Sequence, residues 1–158
     1  MPFVSLDQNG NVTGVFANPQ SFATTFVADG SQSLITPTLV PYANAKQTAI
    51  SGGGISVNVG TSTVECSTDV ASLILLQGAA SIAAANPSET FNWVPSTGTP
   101  VTLTAAQITT MFGAVSAFIQ ATFTTLSGVI AAINAGTITT TAQIDRPPSP
   151  IPAWPVNS

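Results

Sequence analysis

Few side chains in this 158-residue sequence could do chemistry: six carboxylates, two cations, one thiol and one phenol, with no imidazole. The carboxylates are Asp7, Asp29, Glu65, Asp69, Glu89 and Asp145. Glycoside hydrolysis would need two of them flanking one bond, and Glu65 with Asp69 is the closest pair in sequence. They straddle the end of one expected strand and the start of an expected helix, where Asp69 is a ready N-cap and Glu65 faces water. Neither fits a calcium-loop spacing. Without histidine there is no Ser-His or Cys-His nucleophile, and the commonest metal ligand is missing. Cys66 has no adjacent cation or base to favour the thiolate, so it reads as a small buried hydrophobe; being single, it cannot form an internal disulfide. Gly52-Gly53-Gly54 resembles a phosphate cradle in composition only. It leads into a strand pattern, and it lacks both the following helix and the basic residue of such loops. No catalytic, cofactor-binding or metal-ligating residue is expected, and the chain reads as a non-enzyme.

The scarcity of charge carries over to partners. Charged residues make up 5% of the chain, against about 25% in ordinary soluble domains. Lys46 and Arg146 are the only cations, too few to neutralise nucleic-acid phosphates or to hold an anionic lipid surface. Disorder does not account for this, because 44% of the residues are hydrophobic and disordered chains show the opposite balance. A surface of Ser, Thr, Asn and Gln repels its neighbours weakly and suits life inside an assembly; a neutral monomer surface is the alternative. Met1–Gly14 has neither the basic start nor the apolar run of a secretory signal. Ala105–Ala135 is long enough to span a bilayer. It is interrupted by residues such as Gln107, Ser116, Gln120 and Asn134 and lacks flanking cations, so a soluble amphipathic helix is expected and membrane association is not.

The hydrophobic pattern gives the elements. Phe3–Phe16 reads as a hairpin turning at Asn9-Gly10, with Phe22, Phe26 and Val27 as a further short strand before Asp29-Gly30. Thr38–Ser51 is a helix candidate that tolerates Pro41 only in its first turn. Ile55–Val59 and Thr63–Cys66 form a second hairpin. A helix follows from Asp69 to about Ala85, carrying Val70, Leu73, Ile74, Leu76 and Ile82 and ending at Asn86-Pro87. Phe91–Val94 and Pro100–Leu103 make a third hairpin. Thr104 with Gln107 then forms a capping box for the long helix Ala105–Ala135. In that helix Ile108, Phe112, Val115, Ile119, Leu126, Val129 and Ile133 make a heptad-like seam broken only by Thr122. Met111, Phe118, Phe123 and Ile130 widen the face, for a partner or for the chain's own core. Arg146–Pro155 must be extended, and Ile151 with Trp154 suggests an arm docked on its own domain or on a neighbour.

Several phrases, taken in order, resemble an uncharacterised domain of small phage and prophage proteins encoded beside, or within, tail-fibre genes. They are Gly53-Gly54-Ile55-Ser56-Val57, Ser67-Thr68-Asp69-Val70-Ala71-Ser72, Gly78-Ala79, Phe91-Asn92-Trp93, Leu103–Ile108, Ala114-Val115, Ile119–Phe123, Leu126 and Ile130–Ile133. The opening Leu6–Gln20 is similar to the starts of tail-fibre-locus proteins. The resemblance implies an α+β fold of several hairpins packed with two or three helices, the last one long, plus a proline-rich tail. It implies a tail structural protein of the fibre, baseplate or fibre-attachment apparatus, in the virion tail after assembly in the host cytoplasm. Its partners would be other phage tail proteins, the tail fibre above all, or further copies of itself. Two departures, a nearly uncharged first helix and no histidine near Ala117-Phe118, favour permanent incorporation over a transient assembly factor. A holin-like membrane protein and a receptor-binding module using Trp93 or Trp154 are further alternatives. The expected organisation is a hairpin module at 1–36, the α+β domain at 37–144 and an extended arm at 145–158. The expected partner-binding residues are Phe118, Phe123, Ile130, Ile151 and Trp154.

Overall fold

In the computed structural model, residues 3–6, 12–16, 36–95 and 98–157 are described. The elements run β1 (Phe3–Leu6), β2 (Val12–Phe16), α1 (Thr36–Ser51), β3 (Ile55–Val59), β4 (Ser62–Cys66), α2 (Val70–Ala85), β5 (Thr90–Trp93), β6 (Val101–Thr104), α3 (Ala105–Asn134) and α4 (Thr141–Asp145). The class is α+β, with the strands paired as three separate antiparallel hairpins. The Phe3–Phe16 hairpin is present, with Phe3 opposite Phe16 and an irregularity at Ser5/Leu6. Its expected Asn9-Gly10 turn, and the strand expected around Phe22–Val27, lie outside the described residues.

Local chemistry explains most element boundaries. The β3–β4 register pairs Ile55 with Cys66 and Val57 with Val64, so one face of the pleat is apolar and buried. Gly60 at the turn has φ +75, a conformation that a tight hairpin demands and a Cβ resists. Asp69 caps α2 by accepting from the Ser72 N–H. Thr104 ends β6 and caps α3 in the expected box with Gln107; the Gln107 amide also donates to the Val59 carbonyl at 3.0 Å, tying the helix start to β3. A second capping box, Thr140 with Gln143, starts the short α4, which the sequence pattern did not suggest. Helix α1 begins at Thr36 and holds Pro41 inside it. Pro41 therefore sits past the first turn, where it has no N–H for the helix ladder.

Helix α3 is the spine of two cores. Its first half packs with β3, β4, α2 and β6 around Val57, Val64, Leu76, Leu103, Ile108, Met111, Val115 and Phe118. Its second half packs with α1 and α4 around Leu39, Ala43, Leu126, Val129, Ile133, Ile138, Ile144 and Trp154. The buried line on α3 thus runs Ile108, Met111, Val115, Phe118, Thr122, Thr125/Leu126, Val129, Ile133. It takes Met111 and Phe118 in place of the expected Phe112 and Ile119, which are half-buried at the flank of the first core. Thr122 does not break the line. It is buried between the two cores, where its hydroxyl accepts from the Gln47 amide at 2.9 Å and donates to the Ile119 carbonyl at 2.7 Å.

After α4, residues 146–157 hold no helix or strand, turn at Ser149-Pro150, and close the second core of the same chain. Trp154 is 9% exposed, and its indole N–H donates to the Ile144 carbonyl at 2.6 Å. Thr125 donates to the Ala153 carbonyl at 3.3 Å. Asn157 donates to the carbonyls of Ile50 (3.0 Å) and Gly54 (2.8 Å). A Cβ on Gly53 would collide with that Asn157 amide, and one on Gly54 would lie 2.9 Å from the Cys66 carbonyl. Gly53 thus admits a close approach of the tail, and Gly54 a close approach of β4.

Candidate interaction surfaces

Glu65, Asp69, Lys46 and Asp145 each make local contacts that hold the fold together. Glu65 accepts from the Ser56 hydroxyl at 2.6 Å. The Asp69 carboxylate accepts from the hydroxyls of Ser67 and Ser72, both at 2.6 Å, and from the Ser72 N–H. These donors hold its carboxyl well below the usual range. Lys46 pairs with Asp145 at 2.8 Å, and the Tyr42 hydroxyl donates to the same carboxylate at 2.9 Å, joining α1 to α4. Those contacts lower the Asp145 pKa, and the bond to the carboxylate raises that of Tyr42. Cys66 is buried, and burial, reinforced by the Glu65 charge, pushes its thiol up to about 11. No group of three or more potential metal ligands occurs among the described residues.

The five residues expected to bind partners divide three ways. Phe118 and Trp154 are turned inward, each into a different core. Ile151 is half-buried over Gly128, where a Cβ would lie 3.0 Å from its side chain. Phe123 is exposed, and with the half-buried Ile130 it lines a shallow groove on α3 of about 660 Å³ that also includes Gln120 and Ser127.

A larger apolar surface lies on α2, where sequence reasoning placed core residues. Only Leu76 and Ala83 of this helix are fully buried, with Leu73, Ala79 and Ala80 packed beside them. Val70 (74% exposed), Ile74 (63%), Leu75 (69%) and Ile82 (51%) face outward. A helix apolar on all sides is normally buried on all sides, but this one has a single sheet-and-helix core to rest on. Beside it, Leu75, Ala79, Phe91, Trp93 and Val94 line a cleft of about 530 Å³ between α2 and β5. The Trp93 indole N–H is buried there and meets no acceptor among the described residues.

A family model described as a domain of unknown function, DUF4376, matches residues 38–146. The chain belongs to that family. No curated protein and no solved structure matches it. The DUF4376 span runs from α1 through α4 and so covers both halves of the spine. It stops short of Ile151 and Trp154, the tail residues that close the second core. The open face of α2 lies wholly inside the DUF4376 span.

Proposed function

We propose that this DUF4376 protein is a non-catalytic structural component of a bacteriophage tail, in the fibre, baseplate or fibre-attachment apparatus, acting by packing against other tail proteins. The observation that carries the packing part is the uncharged apolar face of α2 with its neighbouring cleft. Interface centres are depleted in charge and rich in aromatic and apolar groups, and this surface has that composition. The tail context is supported by the resemblance of Leu6–Gln20 and of the ordered phrases between Gly53 and Ile133 to tail-fibre-locus proteins. Hydroxyl and amide hydrogen bonds would take the place of salt bridges between subunits. A holin-like role has less support. Helix α3 is long and apolar enough to cross a membrane, but its apolar line fills the two cores. Helix α2 has 16 residues, fewer than the about 20 that a span requires.

Mass spectrometry of purified, salt-washed phage particles tests this reading. A tail component co-purifies at a fixed ratio to the other tail proteins. A protein absent from washed particles but bound to fibre subunits in the lysate is an assembly factor instead. Absence from both would end the tail reading.

A further inference from the structure

We infer that the outer face of α2 pairs with the same face of a second copy of this chain, the two helices antiparallel about a two-fold axis at Gly78. This stands on the geometry of α2 and not on the tail reading.

The stripe is a palindrome. Reading outward from Gly78, Ile74 and Ile82 lie four residues away on either side, and Ala71 and Ala85 lie seven away; all five are exposed. Offsets of four and seven keep residues on one helical face. A two-fold interface requires each residue to meet its own mirror position. In an antiparallel pair centred here, Ile74 meets the partner's Ile82, Ala71 meets the partner's Ala85, and the two copies of Gly78 face each other. Along this stripe, from Ala71 to Ala85, large residues therefore meet large ones and small meet small.

Gly78 needs such a neighbour to explain it. Glycine inside a helix costs about 1 kcal/mol relative to alanine, yet a Cβ at this position would touch nothing within 4 Å among the described residues. Gly128, by contrast, is packed against Ile151, whose side chain would lie 3.0 Å from a Cβ there. A glycine at the crossing point lets two helix axes approach at the near end of the roughly 8–10 Å range. Gly113 is also open, but it lies among Thr110, Ser116 and Ala117 and has no apolar stripe around it.

Charge and area fit a second copy. From Val70 to Ala85 there is no ionisable side chain, so two identical faces meet without repulsion. If the pairing also covers Val70 and Leu75 at its flanks, full burial of the exposed parts of Val70, Ile74, Leu75 and Ile82 removes roughly 500 Å² per copy from water. The total is about 1,000 Å², at the threshold for a specific interface.

The test uses the full chain. Sedimentation should give a concentration-dependent dimer, and Ile74→Glu with Ile82→Glu should weaken it about a hundredfold or more, because it buries charge at both ends of the stripe. Circular dichroism and melting of the variant should match the parent, since both residues are exposed. In a Gly78→Cys variant, mild oxidation should link two copies through position 78, as only an axis at that position allows. A monomer at all concentrations, with the face left open or covered by residues 1–35, overturns the inference. So does a dimer that persists in the double-glutamate variant, or one that does not link at position 78.

Discussion

The two cores built on α3 are finished in different ways. The second core, between α1, α4 and the end of α3, is sealed from within by the chain's own tail. Trp154 fills it, Ile151 covers Gly128, and Asn157 reaches back to the glycine turn. The first core has α2 as its outer layer, and the far side of α2 is left apolar and open. Neither core buries a charged side chain among the described residues, so buried charge does not separate them. What separates them is whether the chain itself supplies the covering residues. An apolar residue in the tail therefore reports on stability, and one on the outer face of α2 reports on association.

This contrast can be broken by substitution. The largest effect is expected from Trp154→Ala, which empties a buried ring site and frees the Ile144 carbonyl; chemical denaturation should show a loss of about 3–5 kcal/mol. Thr122→Val, at the junction of the cores, leaves the buried Gln47 amide without its acceptor and should cost about 1–3 kcal/mol. Adding Gln47→Leu should recover much of that, because removing both polar partners spares the desolvation cost. The two helical glycines sharpen the comparison further. In dilute protein, Gly78→Ala should raise stability by about 0.5–1 kcal/mol through helix propensity alone. Gly128→Ala should give no such gain, because its Cβ must displace Ile151.

The smallest effect is expected from acid. Asp69 and Asp145 both have pKa values lowered below the ordinary 3.8 in the folded chain, the first by serine donors, the second by Lys46 and Tyr42. As pH falls, the unfolded chain takes up these protons first. The stability they contribute is therefore complete well above 3.8 and is lost as pH drops through that value toward the folded ones. Melting curves in acid should show this loss, and Asp145→Asn should remove the part that belongs to the second core. Asp145 and Asp69 are both surface groups, so screening keeps each contribution small.

How much of this the sequence disclosed depended on the range of the interactions. Hairpins β3–β4 and β5–β6, the Asp69 cap, the stop at Asn86-Pro87 and the Thr104–Gln107 box are set by neighbours a few residues apart, and all were legible. The inward line of α3 was not. Met111 and Phe118 compete with Phe112 and Ile119 at equal hydrophobicity, and the decision rests on surfaces supplied by α2 and β6. Thr122 looked like a flaw because its partner, Gln47, lies 75 residues away. Helix α2 misled for a different reason. A segment that is apolar all round has no phase, so nothing in its spacing said that Leu76 would be buried while Ile74 and Leu75 stayed outside. Trp154 was read as an arm with two destinations, and only the position of Ile144 chooses between them.

The central claim is that the tail closes the protein's own second core, while association belongs to α2. Sedimentation of Trp154→Ala beside the parent protein, with melting recorded on the same samples, tests it most directly. The account predicts a markedly lower melting temperature, with the mass of the still-folded protein unchanged. A variant that melts like the parent but falls to a smaller species would contradict it, because Trp154 would then be holding chains together instead of holding its own core.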